Sequence, residues 1–400
     1  MAFHYDFILK NGHIYDPSTG RDEIGDLYVR SGRIVERGHD MDETAINTID
    51  CTGQYVLPAF IEEHAHFFYD GSFISTNADI LCPPAGIATA VDAGTAGFGN
   101  FPLLYKMQKL RCVTNFKAYL NLAPFGILDV PGVMAEDIDP KLFCEKEIIR
   151  MFREYSDVLV GLKLRIDRGT SKGYGLEPLR QALQIAEKVQ ESIGHSCPLS
   201  VHAANVPEDA AIGDIADLLR PGDIFCHVFS PFHSSSFEAN GMVKEQVRRA
   251  QERGVYMDCS NGRIHWSFEN YRKAIQQGFQ PDLISSDVTR VSMYANPAFS
   301  LLNPMNALLQ AGMHEKDIFR VVTYTAAKAL DILDQAGTLQ VGAPANITVV
   351  SVSNYRHVMK DWYGNTEACS RMILPLMTMC NGEMTFRQFF FRDGSFSKNC

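Results

Sequence analysis

Leu57-Pro-Ala-Phe-Ile-Glu-Glu-His-Ala-His-Phe-Phe68 is an apolar run that ends in two histidines separated by one residue. In an extended strand, side chains two positions apart share a face. His64 and His66 therefore point the same way, and paired imidazoles at the end of a buried strand can take one hydrogen-bond acceptor or one metal ion between them. An isolated His-x-His is more often a pair of polar residues at a strand exit. Here the rest of the chain tips the balance, because further His, Lys and Asp residues recur at the ends of later apolar runs.

From residue 57 the sequence repeats apolar strand, loop and amphipathic helix. Strands are expected at 57–64, 86–93, 113–122, 158–166, 198–203, 223–229, 254–259 and 282–287. Between them 177–193, 243–253 and 268–277 carry apolar residues at i, i+3 and i+4, the helical period. This alternation is the signature of a closed parallel (β/α)8 barrel of the TIM type. Residues 5–56 differ: short β-rich runs alternate with turn signals at Asn11-Gly12, Ser31-Gly32 and Arg37-Gly38. After a last helix over about 316–332, β-type segments return at 337–342, 346–352 and 384–391. The expectation is an α/β chain in which 57–335 form the barrel. Residues 1–56 plus 336–400 would form a small, discontinuous β-sandwich domain.

Composition narrows the function classes. A 400-residue chain with 46% hydrophobic and 21% charged residues is that of an ordinary globular protein. A net charge of -10, without a basic run, gives nucleic acid and acidic membranes no reason to bind, so the expected partner is a small-molecule substrate. A homo-oligomer is compatible with the sequence but not specified by it. The ten cysteines are scattered without a C-x-x-C pair, several within apolar runs such as Ile224-Phe-Cys-His-Val228, which reads as buried free thiols in a reducing compartment. The start Met-Ala-Phe-His-Tyr-Asp has neither the basic segment nor the apolar core of a signal peptide, and no stretch is long enough to span a bilayer. The cytoplasm is the expected location.

On a barrel, active sites form at the C-terminal ends of the strands. There the first strand ends in His64 and His66, and the fourth carries Lys163 within Val160-Gly-Leu-Lys-Leu-Arg-Ile166. The fifth ends at His202, the sixth at His227 and the eighth at Asp287. Each has an ordinary reading: a satisfied core histidine, a helix-capping aspartate, or a lysine that snorkels to water. Lys163, however, sits in a strand that helices would cover, and a buried ammonium needs partners or must lose its charge. Carboxylation by carbon dioxide would turn it into an anionic bridging ligand. Convergence of all these residues on one rim favours a metal site.

Taken with Gly86-Ile-Ala-Thr-Ala-Val-Asp-Ala-Gly-Thr-Ala-Gly97, Gly161-Leu-Lys-Leu-Arg165, Pro281-Asp-Leu-Ile-Ser-Ser-Asp287 and Gly337-Thr-Leu-Gln-Val-Gly-Ala343, the chain resembles the amidohydrolase superfamily over essentially its whole length. It is most similar to the dihydroorotase-like deacetylase branch, which has neighbours active on acetyl esters and N-acetyl amino acids. The resemblance implies that His64, His66 and Asp287 hold one divalent ion and His202 and His227 a second. Lys163, as N6-carboxylysine, and a hydroxide would bridge them. Imidazole and carboxylate donors suit zinc best, with manganese or iron also compatible. The function implied is hydrolysis of an amide or ester bond in an acylated small molecule, with Asp287 taking the proton and returning it to the leaving group. The alternatives are a dihydroorotase-like cyclic amide hydrolase and a non-catalytic barrel that keeps its ligands as a binding or assembly partner of another enzyme.

Several positions depart from the superfamily pattern. Ile61-Glu62 stands where Ile-Asp is usual, which keeps a carboxylate in phase with the two histidines. The loop after strand seven, Asp258-Cys-Ser-Asn-Gly-Arg-Ile-His-Trp-Ser-Phe268, has Asn261 at the usual histidine position, with Arg263 and His265 nearby. Substrate contacts are expected from Arg165, Asn205, Asn261 and His265. For Arg165, a carboxylate clamp and a structural ion pair are equally open. Arg168, Lys172 and Tyr174 lie in the loop that follows strand four and are expected to shape the pocket. Asn346, in Ala345-Asn346 where Ala-Asp is usual, is read as structural.

Overall fold

The computed structural model describes residues 4–38, 44–128, 136–171, 173–232, 234–293, 295 and 297–391; Lys172, the first three residues and 392–400 lie outside them. Both chain ends contribute to one sheet. Its N-terminal strands are β1 (Tyr5–Asp16), β2 (Arg21–Arg30), β3 (Arg33–Val35), β4 (Ala45–Asp50) and β5 (Tyr55–Pro58). The barrel-type strands follow as β6 (Phe60–Ala65), β7 (Ile87–Asp92), β8 (Asn115–Asn121), β9 (Leu159–Ile166), β10 (Leu199–Ala203), β11 (Ile224–Cys226) and β12 (Tyr256–Met257). The chain returns with β13 (Ile347–Lys360), β14 (Thr366–Cys380) and β15 (Glu383–Arg387). The end sheet has eight strands, ordered β15-β14-β13-β5-β1-β2-β3, with β4 beside β1.

Ser31-Gly32 turns β2 into β3 with both residues at positive φ, +52° and +73°, the geometry that suits a two-residue hairpin. Asn11-Gly12 does not turn the chain. β1 runs straight through it as a bulge, and a Cβ on Gly12 would lie 2.4 Å from Val56 Cγ2. The expected strand at 337–342 is absent. Instead Leu339 N donates to buried Asp16 Oδ2 at 2.7 Å, which ties the segment to β1 without a ladder. β14 was hidden from the sequence reading by Pro375, which sits where the β13–β14 register shifts.

β6 to β12 form a parallel sheet in strict chain order. Helices 177–193, 245–253 and 268–276 fall where their apolar periodicity places them. Their buried faces, such as Leu179, Ala182, Ala186 and Val189, share one core with the outward residues Leu162, Leu164, Leu199 and Val201 of the strands. The inward residues Ile61, Val91, Tyr119, Val160, Ile224 and Leu283 cluster with Ala326, Ala327 and Leu330 of the last helical region, which fills the bottom of the sheet's concave side. That region is broken rather than continuous over 316–332: α-helix over Glu315–Arg320, a π-turn over Val321–Thr325, then Ala326–Ala329. Thr323 Oγ1 donates back to Phe319 O at 2.6 Å, the kind of side-chain bond that loosens a helix.

The expected strand at 282–287 survives only as a bridge between Leu283 and Asp258. Yet the segment bonds both of the sheet's edges. Cys259 N and Asn261 N donate to Leu283 O and Ser285 O, while Asp287 N donates to His64 O at 2.7 Å and His66 N to Val288 O. Asp287 has φ +47°, outside the β region, so a regular ladder cannot continue through it.

Candidate metal centre

His64, His66 and His227 each have one ring nitrogen committed to the scaffold. His64 Nδ1 lies 3.2 Å from Ser260 Oγ, and that hydroxyl donates to Asp258, so it accepts from the imidazole. His66 Nδ1 lies 2.9 Å from Thr95 Oγ1, which donates to Asp92 Oδ2 at 2.7 Å. His227 Nδ1 donates to Ser260 O at 2.7 Å. In all three the Nε2 lone pair is left for the cavity side, the arrangement in which outer partners fix the tautomer of a ligating imidazole.

What those lone pairs face is informative. His66 Nε2 and His64 Nε2 lie 3.3 and 3.7 Å from Asp287 Oδ1. A lone-pair nitrogen and a carboxylate oxygen repel unless a proton or a cation sits between them. Lys163, buried on β9, places Nζ 3.2 Å from His64 Nε2 and 3.4 Å from Ser200 Oγ. Opposite, His227 Nε2 is 2.8 Å from His202 Nδ1, and His202 Nε2 is buried with no hydrogen-bond partner among the described residues. Among the described residues three groups of donors result, His64/His66/Asp287 and His202/His227/His265 at the cavity and His64/Cys226/Asp258 buried behind it, with the ligand atoms of each within 4.8 Å of one another. The donor chemistry and the orphaned nitrogens fit divalent cations.

Electrostatics keep the groups in ligand form. Burial, reinforced by the neighbouring His227, holds His202 well below the usual imidazole range; burial and His265 do the same to His227. Burial lowers His265 to about 4 against the pull of Asp287. Burial alone would raise the Asp287 carboxyl, but the imidazoles of His66, His64 and His265 around it outweigh that and hold it below the carboxylate range. His227, Ser260 and Asp287 all have positive φ, +63°, +39° and +47°. Strained backbone of this kind concentrates at functional sites because packing must hold it there.

These residues open onto a cavity of about 360 Å³ lined by His64, His66, Lys163, Arg165, His202, His265 and Asp287. Phe73, Ile74, Ile127 and Val291 make its apolar wall. The volume suits a small metabolite.

The model of the amidohydrolase family matches residues 55–384. The chain belongs to the amidohydrolase family. A deacetylase of Enterococcus faecalis is 25% identical over 382 residues, which cover 95% of this chain and 99% of that protein. A deacetylase of Agrobacterium fabrum is 27% identical, covering 88% and 84%. Among solved structures, an adenine deaminase superposes with a TM-score of 0.85 at 25% identity over 96% of this chain and 100% of that one. A dihydroorotase has the same score at 24% identity, over 96% and 98%. As an amidohydrolase the chain is a hydrolase acting on carbon–nitrogen bonds. No helix among its described residues is long and apolar enough to cross a membrane.

The residues expected to set this amidohydrolase apart divide between strands, Glu62 on β6 and Arg165 on β9, and loops, which carry Asn205, Asn261 and His265. Glu62 Oε1 accepts from Ser286 N at 2.9 Å and from His64 N at 3.3 Å, so it staples the first strand to the Asp287 segment rather than touching an imidazole ring. Arg165 is one-third exposed at the cavity, with Nη1 3.8 Å from Glu136 Oε2 and a buried Nε without a hydrogen-bond partner among the described residues. Asn205 sits outside the cavity, its amide on Asp167 Oδ2 at 3.3 Å. Asn261 is also turned away: it is fully buried and its side-chain oxygen accepts from Tyr271. His265 does line the cavity.

Sequence reading missed the outer partners Asp92, Thr95, Asp258, Ser260 and Glu136. Asp92 and Asp258 carried the same signal as Asp287, an acid at the end of an apolar run. Glu136 carried none, since only the fold brings its loop against Asn121 and Arg165.

Proposed function

We propose that this amidohydrolase is a divalent-metal-dependent hydrolase that opens the amide or ester bond of a small acylated molecule carrying an anionic group. The observation that carries the reading is the facing of the acceptors His64 and His66 against Asp287 at one cavity, with the unpartnered Nε2 of His202 beside the His202–His227 pair. His64, His66 and Asp287 would hold one ion, His202 and His227 a second, with Lys163 between them as a carboxylated, anionic ligand. Such ions lower the pKa of a bound water and polarise a carbonyl, and zinc is the ion these donors suit best.

The chain's own residues supply the rest. Asp287 faces the imidazoles of His64 and His66 at the cavity, so as a carboxylate it can accept a proton from the attacking water and hand it to the leaving amine or alcohol. The guanidinium of Arg165 stands free enough at the cavity to hold a substrate carboxylate, while Glu136 behind it fixes its position. The apolar wall of Phe73, Ile74, Ile127 and Val291 would receive the acyl group and exclude water. The architecture behind this reading is a (β/α)8 barrel over 57–335 and a β domain from 1–56 plus 336–400.

Elemental analysis of the purified protein, paired with a screen of N-acetyl-D- and L-amino acids, acetylated hydroxy acids and cyclic ureides, tests the proposal. Bound divalent metal with turnover of an acylated acid supports it. Turnover of cyclic ureides alone would move the reading to the dihydroorotase-like alternative. A metal-loaded protein inert toward all three would leave the non-catalytic partner reading.

A further inference from the structure

We propose that His265 is a third imidazole ligand of the cation site formed by His202 and His227, an assignment that rests on the metal reading above and deepens it. His202, His227 and His265 each offer one ligand atom within 4.8 Å of the other two. The His265 ring lies 4.2 Å, centroid to centroid, from that of His227 and 5.5 Å from that of His202. Its Nδ1 is buried with no hydrogen-bond partner among the described residues, as is Nε2 of His202. An imidazole that needed only to pack would ordinarily find a partner for a buried nitrogen.

The loop is built to bring this ring inward. His265 N donates to Asn261 O at 3.2 Å, one helical turn back. The Asn261 side chain is anchored in the opposite direction, on Tyr271. Gly262 takes φ +49°, and a Cβ there would come within 2.9 Å of Asp287 Oδ2 and 3.2 Å of His265 Cδ2. The absence of a side chain at this position therefore lets the loop pass between the two donor groups. From outside, Tyr363 Oη donates to Ile264 O at 2.7 Å, Trp362 lies under the Arg263 guanidinium at 5.5 Å, and Asp361 accepts from Phe268 N. A loop held at this many points presents a histidine at a fixed place.

With the carboxylated Lys163 proposed above, three neutral imidazoles would give this ion four protein donors, and zinc can take a fifth when water or substrate arrives. Tetrahedral zinc keeps nitrogens about 3.4 Å apart at Zn–N distances of about 2.0–2.1 Å, so the rings need only small rotations to converge. The site would hold its ion more tightly than two histidines alone, and His265 would be unavailable as a substrate contact.

The test is titration of metal-free, full-length protein with Co²⁺, followed by calorimetry and by visible absorption, which reports donor number and type. Wild type is compared with His64→Ala, His227→Ala, His265→Ala and His265→Gln. The expected result is that both His265 variants weaken one binding step by at least about tenfold, the scale of loss seen even for outer partners of a ligand. They should also shift the same absorption bands that His227→Ala removes, leaving the step lost in His64→Ala intact. His265 variants that titrate and absorb like wild type, while His227→Ala loses an ion, would overturn the His265 assignment alone. Wild type that binds no Co²⁺, or a His227→Ala variant that binds as wild type does, would overturn the metal reading and this assignment with it. If the variants do not fold, X-ray absorption or an anomalous map of Co²⁺-loaded wild type decides. A His265 nitrogen at bonding distance supports the assignment, and a His265 ring turned from the ion overturns it.

Discussion

Asp287 stands against two imidazole nitrogens whose other positions are committed to Ser260 and Thr95, so it can be both a ligand and the mobile base of the site. Asp287→Asn keeps the shape and one oxygen donor but removes the basic carboxylate. Turnover should fall by at least ~10²–10⁴-fold, mainly in kcat, with metal partly retained; steady-state kinetics beside metal analysis checks this, and near-normal kcat would show that another group moves the proton. Lys163→Ala should likewise abolish activity, and short carboxylic acids should restore part of it by occupying the place of the carboxylate proposed on Lys163. Gly94 bears on the same lysine, because at φ +75° a Cβ would lie 2.4 Å from Lys163 Cβ. Gly94→Ala should therefore displace Lys163 at a cost of about 1–3 kcal/mol, read by thermal unfolding. Residues that line the cavity were legible in the sequence because His64, His66, His202 and Asp287 end apolar runs and Lys163 interrupts one. Their partners were not, since a relay such as His64–Ser260–Asp258 depends on which strand ends become neighbours, and Asn205 looked like a donor only until the fold gave its amide to Asp167.

At the scale of elements, strands and helices with strong periodicity came through to within a few residues, as with the helix over 177–193. Failures fell where backbone chemistry overrides pattern: at Asp287, whose positive φ breaks the last strand, at Pro375 within β14, and at the back-bonded Thr323. One element that holds the site from a distance is the connection between β13 and β14, far along the chain from the loop it contacts. Asp361 is almost fully buried there; one carboxylate oxygen accepts from Phe268 N at 3.2 Å and from Asn365 Nδ2, and the other accepts from Asn365 N at 2.9 Å. Asp361→Ala would leave those donors unpaired and should cost about 1–3 kcal/mol per buried group left without a partner. Because the anchored loop carries His265, the variant should also raise KM or weaken metal binding, whereas a purely structural role would lower the unfolding temperature with KM and metal affinity unchanged.

For the whole molecule, two kinds of tie hold the parts together, and they lie at opposite ends of the parallel strands. At the C-terminal ends, residues from β6, β9, β10, β11 and the Asp287 segment meet at the cavity, so any ion bound there links strands from around the sheet. Near the N-terminal ends, Asn346 joins the end sheet to the barrel strands: its amide donates to Gln335 O at 2.9 Å, and its oxygen accepts from Asn381 N at 2.8 Å and Asn115 Nδ2 at 3.2 Å. This is why an asparagine serves here in place of the usual aspartate, whose carboxylate would meet the Gln335 carbonyl with no proton between them. Asn346→Asp should destabilise the fold by about 1–3 kcal/mol, the cost of an unpaired buried acceptor, while metal content and kcat stay as in wild type. Chelation should destabilise it separately, because a ligand present at 100 times its Kd contributes about 2.7 kcal/mol to the folded state. With no shared partner between the two ties, the losses should add within about 0.5 kcal/mol. Thermal unfolding of wild type and Asn346→Asp, each with and without chelator, measures all of these terms. A metal-free mutant no less stable than metal-free wild type would mean that Asn346 acts through the metal centre rather than through the join.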